Sequence, residues 1–301
     1  MIRTIEVTDG GIRIDKWLAE QLPDLSRSYI AGLISDNLLT VNGKKVKASY
    51  KVDDEDIIEL DIPESIEPDI PAQDIPLDIV YEDEDVILIN KPKNTVVHPA
   101  PGHYTDTVVN ALLYHCGDSL SGINGIKRPG IVHRIDKDTT GIIIACKNDM
   151  AHTAISAQLK EHSITRAYRA IVHGVIRDDE GTVTGNIARS TNDRKKMAVV
   201  TSGGREAITH YKVLKRFREY TYIECRLETG RTHQIRVHMD HIGHPLLGDQ
   251  TYGVRKSPYK TDGQVLHAMT LGFIHPRSGE YMEFSAPLPE YFSHLLEVIP
   301  E

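Results

Sequence analysis

An α+β protein is predicted: a mixed, mainly antiparallel central sheet with flanking helices, preceded by a small α/β module. Three features of the sequence carry this. Between residues 165 and 228 three strand-like segments follow one another without an intervening helix, which favours antiparallel or mixed pairing over a doubly wound sheet. The segment IPESIEPDIPAQDIP holds Pro63, Pro68, Pro71 and Pro76 among several carboxylates with no apolar periodicity. That is the composition of an extended, self-repelling linker, so residues 1–62, 63–76 and 77–301 are expected as module, linker and body. Ahead of the linker, helical spacing gives way to a hairpin signal.

In the module, Ile14, Trp17, Leu18 and Leu22 recur at the period of an amphipathic helix. Ser26 occupies an N-cap position before a second helix that presents Ile30, Leu33 and Ile34 on one face. LLTVNGKKVK then places two short runs around Asn42-Gly43, the favoured pair for a tight hairpin turn, and residues 57–62 supply a further strand. Arg13, Lys16, Arg27, Lys44, Lys45 and Lys47 gather on these helices and the hairpin. In the body, VILINKP (86–92) reads as a strand, and TVVNALLYHC (107–116) and MAHTAISAQLKEH (150–162) as helices. The run Ile142–Cys146, bounded by Gly141 and by Lys-Asn-Asp, reads as a strand buried on both faces. TRAYRAIVHGV, REAITHYKVLKRF and YTYIECRLE are strands with partial alternation.

With 301 residues and 40% apolar content, the chain is long enough for two domains with real cores. No stretch approaches the ~18–20 uninterrupted apolar residues of a membrane span, and MIRTIEVTDGG lacks the apolar centre of a signal peptide. Cys116, Cys146 and Cys225 form no disulfide or zinc spacing, so a reducing cytoplasm and no membrane association are expected. The net charge of −8 hides an asymmetry. Between Asp53 and Asp85 stand fifteen acidic residues and no Lys or Arg; the other 268 residues hold 35 basic against 28 acidic. That distribution is compatible with an RNA partner where the whole-chain sum is not.

The densest polar cluster is His133, Arg134, Asp136, Lys137 and Asp138, which leads directly into the buried strand. Charges at the entrance of such a strand are held on a rigid base, a good place for chemistry. A carboxylate that acts as nucleophile or base must be ionised and aimed, and a close arginine favours its charged form. Arg134 and Asp136, two apart in an extended chain, share a side, but a fixed partner is better supplied from afar. Arg231 in LETGRTHQIRVHMDHIGHPLLGD lies at a strand-to-helix turn, with Thr232 placed to cap a helix through His241, and offers a planar fork. Each residue would serve equally in a surface ion pair. The HRID string is not the kinase catalytic loop: its aspartate is displaced and no Gly-rich loop or D-F-G accompanies it. His233, His238, His241 and His244 fall within twelve residues, yet no H-E-x-x-H is present, so no metal is expected.

The stretch RIDKWLAEQL through SRSYIAGLISDNLLTVNGKKVK resembles the S4 RNA-binding module, which holds structured RNA by shape and phosphate contact. The body resembles the RluA/RluD-type pseudouridine synthases over three blocks: residues 89–115, residues 128–149 with ITRAYRAIVHG after them, and residues 228–253. The resemblance implies the pseudouridine synthase fold and the cofactor-free isomerisation of uridine. It implies Asp136 as the catalytic aspartate, Tyr168 as the tyrosine stacked on uracil, Arg231 as the aspartate's partner and Arg134 as the residue that enters the RNA stack. Arg13, Lys16, Arg27, Lys44, Lys45, Lys47 and His133 would contact RNA. Ile135, Thr140 and Asn94 stand where leucine, serine and glycine are usual; the first two keep bulk or hydroxyl, and Asn tolerates a positive φ. The N-terminal module and the HPAPGH block resemble the RluD branch, implying large-subunit ribosomal RNA, at helix 69, and a monomer. A non-catalytic S4-type assembly factor and a metal-dependent hydrolase are the rival classes.

Overall fold

The structure is a computed structural model that describes residues 2–22, 25, 27–62, 70–99, 104–123, 129–191, 193, 196–253 and 257–301. Two compact units divide the chain, Met1–Glu67 and Pro68–Glu301. No helix among the described residues is long and apolar enough to cross a membrane.

In the first unit, β1 (Ile2–Glu6), α1 (Ile14–Gln21), α2 (Arg27–Ser35), β2 (Leu39–Val41), β3 (Lys44–Lys45) and β4 (Ile57–Asp61) follow in order. The strands form an antiparallel sheet in the order β1-β4-β2-β3. Ile14, Trp17 and Leu18 of α1 and Ile30, Leu33 and Ile34 of α2 are buried in one core with Leu39, Val41, Ile58 and Leu60. Asn42 and Gly43 both take positive φ, 50° and 70°, the backbone of a tight hairpin turn whose twist matches its strands. Asn42 adds side-chain bonds to Asp56 and to the Ile57 amide, which tie the turn to β4. The N-terminal strand β1 has no expectation to match, because IRTIE is too short to show a period. Ser26, the expected helix cap, lies outside the described residues, as do residues 63–69 of the expected linker and residues 100–103 of the HPAPGH block.

The second unit begins earlier than the prolines suggest. Ile70 is buried with Ile87 and Leu112; Pro71 carbonyl accepts from Asn110 Nδ2 at 2.8 Å and the Gln73 amide donates to Asn110 carbonyl at 3.0 Å. Residues 70–73 are thus docked chain, not free linker, because one apolar side chain and one buried amide fasten them. From there run β5 (Ile79–Glu82), β6 (Val86–Lys91), α3 (Val108–Cys116), β7 (Thr140–Cys146), α4 (Asp149–Lys160), β8 (Thr165–His173), β9 (Glu180–Arg189), β10 (Met197–Val200), β11 (Arg205–Arg216), β12 (Tyr220–Leu227), α5 (Gln234–His241), β13 (Leu266–Ile274), β14 (Tyr281–Ser285) and α6 (Glu290–Val298). All but one pairing in this ten-stranded sheet is antiparallel, in the order β10-β9-β11-β12-β8-β13-β7-β6-β5, with β14 on β13.

The exception positions the site. β7 and β13 pair in parallel over Thr140–His267 and Gly141–Ala268 only. Thr140 Oγ1 and His267 Nδ1, 2.9 Å apart, close this joint. Gly141 has φ +109°, and a Cβ there would collide with the Ala268 carbonyl, so the residue must be glycine. β7 is buried along its whole length, as its β-branched run requires. The turn that carries Asp136 enters from one side of the joint; β8 and α5 belong to the other.

Candidate active site

Asp136 is fixed through its backbone. Its carbonyl accepts the Thr139 amide at 3.1 Å. The next carbonyl, of Lys137, accepts from Lys91 Nζ at 2.9 Å, and the same ammonium reaches the carbonyls of Pro92 at 2.7 Å and Thr95 at 2.9 Å. Lys91 is fully buried; burial pushes its pKa down to about 7, against the pull of Asp138 and Asp136. Three carbonyl acceptors match the three N–H bonds of an ammonium, so the geometry favours the charged form. Asn94, in the turn beyond Lys91, has φ 61°, as expected of the residue that replaces glycine there.

The carboxylate of Asp136 meets an arginine, but not the expected one. Arg236 Nη1 donates to Asp136 Oδ2 at 2.9 Å. The rest of the Arg236 fork is held by Asp249, Nε to Oδ2 at 2.6 Å and Nη2 to Oδ1 at 2.9 Å. Asp249 Oδ1 also accepts the amides of Thr251 and Tyr252 at 2.8 and 3.0 Å. Burial opposes the Arg236 charge, yet Asp249 and then Asp136 hold its pKa above the usual arginine value. Burial also works against the Asp249 charge, and Arg236 with the two amides draws its pKa below normal. The result is a buried aspartate that orients an arginine, which in turn aims a second aspartate. The other carboxylate oxygen, Oδ1, lies 3.8 Å from His233 Nε2. His233 has φ +57°, and its Nδ1 lies 3.0 Å from Tyr252 Oη, which also accepts the Met197 amide at 2.7 Å.

Tyr168 lies at the middle of β8, opposite Cys225 of β12 and Ala268 of β13. Burial pushes its phenol pKa up, Arg166 opposing and Asp136 adding. A cavity of about 500 Å³ opens here, with Arg134, Asp136, Arg166, Tyr168, Arg231 and His233 in its wall.

An RNA pseudouridylate synthase profile matches residues 85–241, and an S4 domain profile matches residues 12–58. An uncharacterized RNA pseudouridine synthase of Bacillus subtilis, YlyB, is 53% identical over 285 residues, covering 95% of this chain and 93% of that one. The chain belongs to the RNA pseudouridine synthases. The ribosomal large subunit pseudouridine synthase D of Zymomonas mobilis is 46% identical to the synthase over 299 residues, covering 96% and 94% of the two chains. The solved human RNA pseudouridylate synthase domain containing 1 shares the fold, with TM-score 0.57 at 24% identity over 77% of the synthase and 98% of that chain.

The synthase brings Arg134, Asp136, Tyr168 and Arg231 to one cavity, as the sequence suggests, but the pairing of Arg231 with Asp136 is corrected. Arg231 Nε donates to the Glu206 carbonyl at 2.8 Å, and its amide donates to Gln234 Oε1 at 2.9 Å. Its fork is thus turned along β11, and the place beside Asp136 is filled from α5 by Arg236. Sequence reading missed Arg236 because it looked to the strand-to-helix turn. The available signal was the polar, buried Gln234, Arg236 and His238 inside a helix, which demand buried partners. The helix also starts later than expected: His233, not Thr232, is its N-cap.

His133 is likewise redirected. Its Nε2 accepts the Ile144 amide at 3.1 Å, and burial, with Arg166 nearby, pushes its pKa down to about 4. A neutral imidazole whose Nε2 accepts from the backbone props β7 and brings no charge to the cavity wall that it lines. Arg134 is exposed, with Nη1 3.2 Å from His98 Nε2. The histidines once weighed as metal ligands go separate ways: His233 to Tyr252, His238 to Thr209 at 2.9 Å and His244 to the His173 carbonyl at 2.8 Å. In the S4 domain, Arg13 and Arg27 both bond Asp15, at 3.0–3.1 Å, Lys16 faces Glu20 at 3.8 Å, and Lys44, Lys45 and Lys47 are exposed.

Proposed function

We propose that the synthase converts uridines of large-subunit (23S) ribosomal RNA, in the helix 69 stem-loop, to pseudouridine, with Asp136 acting at the ribose of an everted base. The observation that carries the mechanism is that Asp136, held by the buried Asp249–Arg236 pair, shares one cavity with Tyr168. The target is supported by the relatives from Zymomonas mobilis, Pasteurella multocida and Pseudomonas aeruginosa, each named ribosomal large subunit pseudouridine synthase D.

The reaction breaks N1–C1′, turns the uracil and joins C5 to C1′, so no redox partner is needed. Everting the base costs a few kcal/mol, least in a loop. Arg134, exposed and planar, offsets part of that by filling the vacated stack. Arg236 occupies one oxygen of Asp136 and leaves Oδ1 facing the sugar. That oxygen works whether it adds to C1′ or takes the C2′ proton, since both steps need an ionised, aimed carboxylate. Tyr168 offers its flat ring to the detached uracil while it turns. Burial raises its phenol pKa, so a neutral hydroxyl and not a phenolate stands near C5. The S4 cations Arg13, Lys16, Arg27, Lys44, Lys45 and Lys47 hold the surrounding RNA through phosphates, with Asp15 fixing the direction of the two arginines.

Mapping pseudouridines in 23S rRNA from cells with the gene, without it, and with Asp136→Asn tests this. The helix 69 positions are expected to lose modification in the last two, while purified Asp136→Asn still binds the RNA within a few-fold. Full modification by that variant overturns the mechanism, and unchanged helix 69 in the deletion overturns the target.

A further inference from the structure

Arg166 is a buried cation with no counter-charge paired to it among the described residues. It is 8% exposed, and its Nη2 donates to the Glu228 carbonyl at 3.0 Å. Its Nε is buried with no hydrogen-bond partner, and no carboxylate pairs with it among the described residues. Two residues before Tyr168 on β8, it shares that residue's face of the strand and lines the same cavity. The chain makes room for it: a Cβ on Gly230 would lie 2.6 Å from Arg166 Nη1. Burial foremost disfavours its charge, Tyr168 opposing and Arg231 adding, and Lys160 and His162, just past α4, line the same cavity. Arg236, by contrast, has two carboxylates. An unpaired buried guanidinium beside a second one is costly unless an anion arrives.

On the reading that the cavity takes a uridine of RNA, we propose that Arg166, with Arg231, binds the phosphodiester next to the everted uridine and so sets how deep the nucleotide sits. A phosphodiester carries a standing charge and two free oxygens that suit arginine forks. The uracil carries charge only transiently after the N1–C1′ bond breaks, and so cannot answer a permanent cation. Arg166 is therefore a substrate-binding residue for the backbone, distinct from the Asp136 machinery.

The test uses an rRNA stem-loop holding one uridine that the wild-type protein converts, so that the reaction itself is not in question. Neutral methylphosphonate replaces the phosphate 5′ or 3′ of that uridine, and affinity is measured for wild type and Arg166→Gln. Wild type is expected to lose about tenfold at one of the two positions; the variant loses about tenfold on native RNA and less than twofold more on replacement there, on the scale of one charge-assisted bond. Losses that multiply at both positions overturn the proposal. So does unchanged affinity with a slower single-turnover rate, which would assign Arg166 to the uracil. If Arg166→Gln does not fold, Arg166→Lys, which keeps a charge without the fork, runs the same cycle: coupling of the same sign upholds the proposal and strict multiplication overturns it.

Discussion

Two arginines five residues apart in α5 and its approach have different duties, and substitution separates them. Arg236→Ala leaves Asp249, whose side chain is fully buried, without the guanidinium that pairs with it. Breaking a buried pair in this way costs about 3–5 kcal/mol. Thermal melting is expected to show that loss together with loss of pseudouridine formation. Arg231→Ala removes one bond to a backbone carbonyl, so stability should change by about 1 kcal/mol or less while RNA affinity falls. Equal destabilisation by the two would contradict the ion-pair assignment. At this scale the sequence was half readable. Asp136 and Tyr168 sit in strand-linked segments whose direction follows from local pattern. The partner arginine depends on how α5 packs against residue 249, a relation no local spacing encodes.

At the scale of elements, Lys91 joins the end of β6 to the turn that carries Asp136. Lys91→Met leaves the carbonyls of Pro92, Thr95 and Lys137 without their donor, at about 1–3 kcal/mol for each left buried. Turnover should fall more than RNA affinity, measured by single-turnover kinetics beside equilibrium binding; intact turnover would show that the turn holds itself. A second junction lies at the opposite end of β6, where Asp85 accepts Arg277 at 2.7 and 2.6 Å and the helix-capping Asn148 at 2.8 Å. Arg277 foremost, with burial opposing and Asn148 helping, holds the Asp85 carboxyl down to about 2. The folded chain binds this proton more weakly than the unfolded chain, whose carboxyl keeps its ordinary value of 3.8. Stability from this group is therefore complete above about pH 4 and is lost as pH falls from there towards 2. In melts across that window, Asp85→Asn should remove part of the acid dependence; an unchanged slope would place the linkage elsewhere. Elements with a strong period were legible: both S4 helices, the Asn-Gly hairpin, α3, α4, β7, β8, β11 and β12. β1, β5, β10 and β14, four or five residues long, have too little pattern of their own and exist because a neighbour supplies the ladder.

For the whole molecule, the boundary near residue 67 separates two cores that share no residue. Removing residues 1–67 should leave a folded body with weaker RNA binding. Its salt dependence should be shallower, by about 0.7–0.9 in log–log slope for each phosphate contact that leaves with the module. An unchanged slope and affinity would assign the S4 domain another purpose. Division into two domains was legible from the prolines, whereas the docking of residues 70–73 was not, since an acidic, proline-rich run gives no sign that one isoleucine will be buried. The short parallel joint at Gly141 has a wider bearing. Asp136 arrives on β7, Tyr168 and Arg236 beyond β13, and two residue pairs set their spacing. A library randomised at position 141 should thus return glycine alone among active clones, although the position lies outside the cavity wall. The demand at that spot is one of masonry, not of anything the RNA can sense.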